Sequence, residues 1–252
     1  MLRKQLIRLR VIILGSGSPI PYSDRAQSGI LLEAGPILVD CGSGILGRFN
    51  QVDIGIESVK NIFLTHHHLD HMSDLLPILM ARWLIGHTET SVYGPKGTEG
   101  LLAKLLALHA YLREHIRVNI IELKSGDVIE VKNIKVEALE TMHLIPNLAY
   151  KFADRVVISG DTEPFPGMGD FADGCELLIH ECSFPDGFNV PGHSTPSRLG
   201  KALASCKVKT LVLTHLYPSA IARGEEMVRS LRRAGFQSKV VLAEDLACFK
   251  TS

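Results

Sequence analysis

A cluster of histidines is the feature of this sequence best suited to chemistry. The chain has 252 residues and eleven histidines, of which His66, His67 and His68 are consecutive and His71 follows closely, with Asp70 between them. Imidazole and carboxylate groups at this density are typical ligands of Zn²⁺, with Mn²⁺ or Fe as competitors. The cluster therefore predicts a metal site.

The position of the cluster suits ligands, because it directly follows an apolar strand predicted at residues 61–64. In an extended segment alternate side chains share a face, so His66 and His68 project together and the histidine between them points away. Asp70 and His71 turn toward a second position, so two metals could share the segment. A solvated histidine-rich loop that binds metal opportunistically is the alternative for this cluster taken alone.

Three distant residues strengthen the metal-site hypothesis. His143, Asp161 and His215 each follow an apolar strand, and with the cluster they complete the pattern H-x-H-x-D-H…H…D…H. This pattern resembles the metallo-β-lactamase superfamily. The resemblance implies a four-layer αββα sandwich that covers residues 1–252 as a single domain, with two divalent metal ions, Zn²⁺ being the first choice.

The resemblance also implies the role of each residue in the metal site. The first metal would be held by His66, His68 and His143. The second would be held by Asp70, His71 and His215. Asp161 would bridge the two, Asp40 would support the site from the second shell, and Asp70 is also a candidate for the base that takes a proton from the attacking water.

Three further motifs narrow the resemblance to one branch of the superfamily. Residues 14–19 with Pro21 and Arg25, the pair His180-Glu181, and residues 192–195 around His193 resemble ribonuclease Z, the endonuclease that trims tRNA 3′ trailers. In that family the counterparts of Glu181 and His193 are paired beside the metals. A histidine supported by a carboxylate can protonate the leaving 3′ oxygen of a phosphodiester near neutral pH.

The sequence also departs from ribonuclease Z in three places. The family's lysine between the counterparts of Pro21 and Arg25 is missing, since Tyr22, Ser23 and Asp24 fill that gap. Only eighteen residues separate His143 from Asp161, which leaves room for one hairpin but not for the long basic arm that clamps tRNA in many members. After His215, Leu216-Tyr217-Pro218 replaces the family's phosphate-binding loop. A small-molecule cyclic phosphodiesterase therefore remains an alternative, and a metal-binding scaffold without activity is a third hypothesis.

Short β-rich runs alternate with helical patterns along the whole chain, with no linker between them. Helices are predicted at residues 74–84, 97–116, 196–205 and 222–234. Fourteen strands are predicted, at residues 9–14, 28–33, 37–40, 61–64, 91–93, 119–123, 128–131, 134–139, 149–152, 156–159, 177–179, 210–213, 239–242 and 247–250. Mixed sheets covered by two groups of helices are the expected result.

Composition limits the partners and the compartment. Lysine plus arginine equals aspartate plus glutamate, 27 each, so no global field holds a polyanion, although residues 191–240 carry nine basic and two acidic residues. The N-terminal Arg3, Lys4, Arg8 and Arg10 precede an apolar run too short for an export signal or a membrane span. Five scattered cysteines favour a reducing compartment. We expect a cytoplasmic protein that acts on RNA or a small phosphodiester, without a membrane partner, and a homodimer is one option.

Overall fold

The first strand shows how this sequence produces a layered fold. Strand β1 (Arg10–Gly15) points alternate residues to opposite faces. Val11 and Ile13 pack into a cluster shared with a second sheet, whereas Ile12 and Leu14 pack into a cluster with helices. Because both faces of the strand are apolar and buried, the sheet needs cover on both sides. The computed structural model, which describes residues 8–252, has this arrangement.

The strands form two seven-stranded sheets. After β1 the strands are β2 (Gly29–Leu32), β3 (Ile37–Val39), β4 (Asn61–Phe63), β5 (Glu89–Gly94), β6 (Arg117–Glu122), β7 (Val128–Val131), β8 (Ile134–Glu140), β9 (Leu148–Phe152), β10 (Val156–Ile158), β11 (Leu177–Glu181), β12 (Thr210–Thr214), β13 (Lys239–Leu242) and β14 (Cys248–Lys250). The first sheet has the order β14-β1-β2-β3-β4-β5-β6 and the second has the order β13-β12-β11-β10-β9-β8-β7.

Helices cover the outer face of each sheet. The helices are α1 (Ile45–Arg48), α2 (Leu69–Met72), α3 (Leu75–Leu84), α4 (Thr98–Leu108), α5 (Ala110–Arg113), α6 (Pro166–Ala172), α7 (Pro196–Ala202), α8 (Pro218–Ala222) and α9 (Gly224–Arg233), with 3₁₀ turns at Phe49–Gln51 and Ile56–Ser58. Residues of α1–α5 pack on the first sheet and residues of α6–α9 pack on the second. The chain is therefore a four-layer αββα sandwich.

Each predicted strand has a counterpart in the structure, but the helices need corrections. The segment 97–116 is interrupted at His109, whose φ of −121° and ψ of 60° separate α4 from α5. Helix α9 covers most of the segment 222–234, and α8 precedes it. Four helices were not predicted, α1, α2, α6 and α8, because segments of four to seven residues are too short to show a helical period.

Strand direction decides where loops with polar residues meet. Strands β3 to β6 run parallel to one another in the first sheet, as do β10 to β13 in the second, whereas β3 is antiparallel to β2 and β10 is antiparallel to β9. The carboxyl ends of parallel strands meet at one edge of a sheet, which is where α/β proteins place their ligands. The segments that follow β3, β4, β10, β11 and β12 contain the predicted site residues, except Glu181, which ends β11, and His143, which follows the antiparallel strand β8.

A buried arginine ties helix α3 to its surroundings. Arg82 is 1% exposed, and its guanidinium donates to the carbonyl oxygens of Ile56, Glu57 and Glu89 at 2.7, 2.8 and 3.0 Å. Its Nε also donates to Thr90 Oγ1 at 3.2 Å. These bonds join α3 to the 3₁₀ turn and to β5, so Arg82 has a structural role.

A second polar cluster lies at the amino end of β11. The Glu176 carboxylate accepts hydrogen bonds from Lys209 Nζ at 3.0 Å, from the Arg155 guanidinium and from Ser252. Desolvation acts to raise the pKa of Glu176, but these hydrogen bonds outweigh it and lower the pKa to about 2. Glu176 is therefore charged throughout the neutral and mildly acidic range.

Two expectations concern membranes and the N-terminus. Among residues 8–252, no helix is both long and apolar enough to cross a bilayer. The basic residues Arg3 and Lys4 of the expected N-terminal segment lie outside the described residues.

Candidate metal centre

The first predicted ligand group gathers residues from three separate loops. His66 and His68 follow β4, His143 follows β8, and Asp161 follows β10. His68 Nδ1 lies 3.0 Å from His66 Nε2 and 3.3 Å from His143 Nε2. The four residues each offer one ligand atom within 4.8 Å of the others.

The second predicted group lies beside the first. His215 Nε2 lies 3.0 Å from Asp70 Oδ2, and His71 Nε2 lies 3.7 Å from the same oxygen. Asp161 stands between the groups, because its Oδ1 is 3.4 Å from His71 Nε2 and its Oδ2 is 3.7 Å from His66 Nε2. Asp161 therefore contacts both groups, as a shared carboxylate must.

Four of these histidines are oriented in the same way, with Nδ1 held by an acceptor outside the centre and Nε2 directed inward. The acceptors are Thr65 Oγ1 for His66 at 3.0 Å, Asp40 Oδ2 for His71 at 2.7 Å, the Gly192 carbonyl for His143 at 2.9 Å, and Ser183 Oγ for His215 at 2.9 Å. Carboxylate and carbonyl oxygens only accept, so His71 and His143 each carry a proton on Nδ1, and the neutral form that binds a metal presents its lone pair on Nε2. Metal-binding histidines are oriented by such outer contacts.

The donor set fits divalent metal ions. Imidazole lone pairs and two carboxylates converge on one buried volume, and Asp161 Oδ1 accepts no hydrogen bond from any residue between 8 and 252 although it is buried. A buried, unpaired carboxylate oxygen surrounded by lone pairs is costly unless a cation neutralises it. A cation at this place would satisfy every one of these atoms.

Burial and charge act in opposite directions on two residues of the centre. Burial lowers the pKa of His66 well below its ordinary value, which favours the neutral imidazole that a metal requires. Burial acts to raise the pKa of the Asp161 carboxyl, but the imidazoles of His215 and His71 outweigh it and hold the pKa well below its usual range. Asp161 is therefore an anion.

Asp40 connects both ligand groups to the first sheet. Its Oδ1 accepts the Thr65 N–H at 2.8 Å, and its Oδ2 accepts the Thr65 hydroxyl at 2.8 Å and His71 Nδ1–H at 2.7 Å. The Thr65 hydroxyl, having donated to Asp40, accepts from His66. Asp40 has a φ of 58°, and His215 has a φ of 56°. Such left-handed backbone is uncommon outside glycine and concentrates at functional sites.

Glu181 and Ser183 form a network beneath His215. Glu181 is 1% exposed, which contradicts a surface position. Its Oε2 accepts the Ser183 N–H at 2.9 Å and the Ser183 hydroxyl at 2.7 Å, and its Oε1 accepts the Ser194 N–H at 2.7 Å. The Ser183 hydroxyl has donated its proton, so it accepts from His215 Nδ1–H. Glu181 thus acts on His215 through Ser183.

His193 lies on the solvent side of this network. Its Nδ1 is 3.5 Å from Glu181 Oε1 and 3.3 Å from Ser183 Oγ, and its ring stacks on His215 at 5.6 Å between centroids. Burial acts to lower the pKa of His193, but Glu181 outweighs it and raises the pKa above the ordinary value. With Nδ1 directed at Glu181, His193 Nε2 is the nitrogen left for a substrate.

Asn147 connects the loop of His143 to that of Asp161. Its amide nitrogen donates to Thr141 Oγ1 at 2.7 Å and to the Asp161 carbonyl. Gly160 precedes Asp161 with a φ of 61°, and a Cβ there would lie 2.7 Å from Asn147 Oδ1. Glycine is therefore required for this close approach.

Two predicted motif residues lie elsewhere. His67 points away from the centre, with Nε2 2.8 Å from Thr98 Oγ1. Arg25 donates to Ser16 Oγ and to the Ala243 carbonyl, the latter at 2.6 Å. Arg25 therefore holds the loop after β1, and its guanidinium is occupied by protein groups.

Three residues were missed by the sequence analysis. Ser183, Thr65 and Asn147 each supply a bond that orients a ligand or its loop. Ser183 stands two residues after Glu181, and Thr65 directly precedes His66, so proximity to a ligand was an available signal. Asn147 offers no such signal, since its partners come from other loops.

Comparisons with known proteins agree with the fold and identify the family. A family model described as a β-lactamase superfamily domain matches residues 36–216. A ribonuclease Z of Mycobacterium avium is 32% identical over 94% of this chain and 96% of its own length. Among solved structures, the metallo-β-lactamase fold protein YhfI of Bacillus subtilis has a TM-score of 0.85 at 22% identity, over 97% of this chain and 100% of its own. The short form of human tRNase Z has a TM-score of 0.74 at 24% identity, over 95% and 98%.

Proposed function

Since the chain belongs to the β-lactamase superfamily and, within it, to the ribonuclease Z family, we propose that it is a metal-dependent phosphodiesterase that hydrolyses RNA. The 3′ trailer of tRNA precursors is the proposed substrate. One observation carries this proposal: the seven candidate ligands and the Glu181–His193 pair converge at one edge of the sandwich. Such a site has both a place for metal ions and a proton donor.

Two divalent ions fit the two ligand groups, and we propose Zn²⁺ as their identity because imidazole dominates the donors. The first ion would be held by His66, His68 and His143, the second by Asp70, His71 and His215, and Asp161 would serve both. Bound divalent ions supply Lewis acidity, which makes a hydroxide nucleophile available near neutral pH and stabilises charge on phosphoryl oxygens. Elemental analysis of the purified protein tests the number, and fewer than two ions per chain would contradict it.

The remaining steps use side chains of the chain itself. Asp70, whose carboxylate reaches the centre from α2, accepts the proton of the attacking water. His193 Nε2 donates a proton to the leaving oxygen, and Glu181 holds the His193 ring by its Nδ1. For His193 to act as the acid, a buried carboxylate must hold its Nδ1. Glu181 has that position, and its own oxygens accept hydrogen bonds from Ser183 and Ser194.

Replacement of His193 by alanine tests the acid role. General acid catalysis contributes about 10²- to 10⁴-fold, and it matters most for a poor leaving group. The variant should therefore lose much more activity on RNA than on bis(p-nitrophenyl) phosphate, whose leaving group needs no proton. His109→Ala, at an exposed histidine of the α4–α5 junction, is the matched control. Equal losses on both substrates would contradict the role.

A small cyclic phosphodiester is a second candidate substrate, and the connection between the ligand loops favours it. Strands β9 and β10 form an antiparallel hairpin in which Phe152 pairs with Val156. That hairpin takes up most of the chain between His143 and Asp161 and leaves no space for an inserted tRNA-binding arm. A comparison of unprocessed tRNA with cyclic phosphates under the same conditions separates the two, since cleavage of cyclic phosphates alone would reject the RNA substrate.

We also propose that all 252 residues form one domain that works in the cytoplasm, as a monomer or a homodimer. The cluster of apolar residues shared by the two sheets supports one folding unit. Five free cysteines, four of them buried, support a reducing compartment. A single cooperative unfolding transition and the mass in solution test these statements.

A further inference from the structure

Three aromatic rings form a stack beside the candidate centre. Phe184, three residues after Glu181, packs against Tyr217 with centroids 4.4 Å apart and the ring planes tilted by 31°. On Phe188 it stacks, with centroids 5.5 Å apart and an angle of 18°. We call Phe184, Phe188 and Tyr217 the aromatic platform.

The platform adjoins the residues of the site. The Phe184 ring meets the His193 ring edge to face, at 5.9 Å and 77°. The Tyr217 ring lies 5.9 Å from the ring of His215. Any group that accepts a proton from His193 therefore has the platform as its neighbour.

The outer ring of the platform is open to solvent. Phe188 is 42% exposed on the loop between β11 and α7. A single exposed aromatic ring is ordinary on a protein surface, but this one ends a stack that begins at the metal ligands. A stack that ends in an exposed ring can be extended by another planar ring.

The segment that follows His215 is also aromatic and uncharged. Residues 216–218 are Leu-Tyr-Pro, so the segment contributes the Tyr217 ring to the platform and no charged side chain. A subsite for a second phosphate would need cations or several N–H donors. The chemistry of the platform suits a planar, uncharged group.

We propose that the aromatic platform binds the nucleobase of the nucleoside that carries the leaving oxygen. The inference rests on the proposed function, because His193 donates to that oxygen and two rings of the platform, Phe184 and Tyr217, lie 5.9 and 6.4 Å from the His193 ring. Stacking of bases on aromatic side chains is the usual way in which proteins hold unpaired RNA, and it tolerates any base. The platform thus positions the leaving group without reading its sequence.

Two RNA substrates test the proposal with the metal-loaded protein. One has a normal nucleotide on the leaving side of the scissile bond, and the other has 1,4-anhydroribitol, which lacks the base, at that place. The ratio of their kcat/KM values measures the use of the base. Phe188→Ala should reduce this ratio about 5-fold or more, as the loss of one stacking contact does, whereas Phe188→Trp should keep it. Tyr111→Ala, at an exposed aromatic of α5, is the matched control.

A binding measurement separates the platform from the proposed function. Titration calorimetry compares adenosine 3′-monophosphate with 1,4-anhydroribitol 3-phosphate. We expect the wild-type protein to prefer the adenosine compound about 5-fold or more and Phe188→Ala to lose this preference. An unchanged ratio in both assays would overturn the platform and leave the phosphodiesterase standing. Preference for the base without cleavage of either RNA would instead support the platform and reject the proposed function.

Discussion

Replacement of Asp40 by asparagine exchanges one carboxylate oxygen for an amide NH₂ group, although both oxygens of Asp40 accept hydrogen bonds. Asp40 accepts three hydrogen bonds, from the Thr65 N–H, the Thr65 hydroxyl and His71 Nδ1. If the amide oxygen takes the place of Oδ1, the NH₂ group faces His71 Nδ1, which must then accept. The proton of His71 moves to Nε2, the nitrogen directed at Asp70 and Asp161.

The opposite orientation of the amide has a higher free energy than the first. It places the NH₂ group against the Thr65 N–H at a contact that is 2.8 Å in the native structure, and a buried donor left without an acceptor costs about 1–3 kcal/mol. The first orientation is therefore the more stable one. In that orientation the proton of His71 lies on Nε2, and metal binding must move it back to Nδ1. Loss of such an outer contact reduces metal affinity about 10- to 100-fold, or about 1.4–2.8 kcal/mol.

Competition with a chelator of known affinity measures this loss on purified Asp40→Asn, with the melting temperature of the metal-free protein recorded in parallel. Asp53→Asn, at an exposed aspartate, is the control and should bind metal as the wild type does. If both the metal affinity and the melting temperature of Asp40→Asn equal those of the wild type, the assignment of the Nδ1 proton is refuted. A large fall in stability without a change in affinity would show that the second orientation is adopted.

Three other substitutions have outcomes that follow from the contacts described. Ser183→Ala removes the acceptor of His215 Nδ1 and should lower metal affinity about 10-fold, whereas Ser183→Thr should restore it; equal affinities for all three proteins would contradict the role of the hydroxyl. Arg82→Met leaves three buried carbonyl oxygens without their donor, so the free energy of unfolding measured with urea should fall by about 3 kcal/mol. The control Arg113→Met, at an exposed site, should change it little. Glu176→Gln should lower the free energy of unfolding by about 1 kcal/mol at pH 7. The pKa of Glu176 is lowered to about 2 in the folded state, so this loss of stability is complete above the unfolded pKa near ~4.3 and should shrink as the pH falls toward 2. A loss of stability that does not depend on pH would reject the ionic contribution.

Strands were easier to predict than helices, and the reason is local. Each strand is a short apolar run that ends at a turn residue, as β4 ends before the histidine cluster and β10 before Gly160. Helix α2 has four residues, and two of them are candidate ligands, so no apolar period marks it. The chain breaks at His109 between α4 and α5, and the uninterrupted leucines of that segment do not reveal the break.

The candidate ligands were predictable because each follows a strand that is apolar by itself. Spacing within the cluster separated His66 and His68 from His67, and the chain-length pattern supplied His143, Asp161 and His215. The contacts that orient these ligands were not predictable, with the exception of Asp40. Gly192, for example, accepts from His143 across 49 positions of the chain.

The sequence by itself determined the strands and the residue types that a metal centre needs, because hydrophobic periodicity and turn residues act over a few positions. The order of the layers was implied by the resemblance to the metallo-β-lactamase superfamily. Only the tertiary structure decided which nitrogen of each histidine faces inward, how Glu181 acts on His215 through Ser183, and that Phe184, Phe188 and Tyr217 stack beside His193. The tautomer and the orientation of a ring depend on partners from other strands, and those partners meet only when the two sheets pack together.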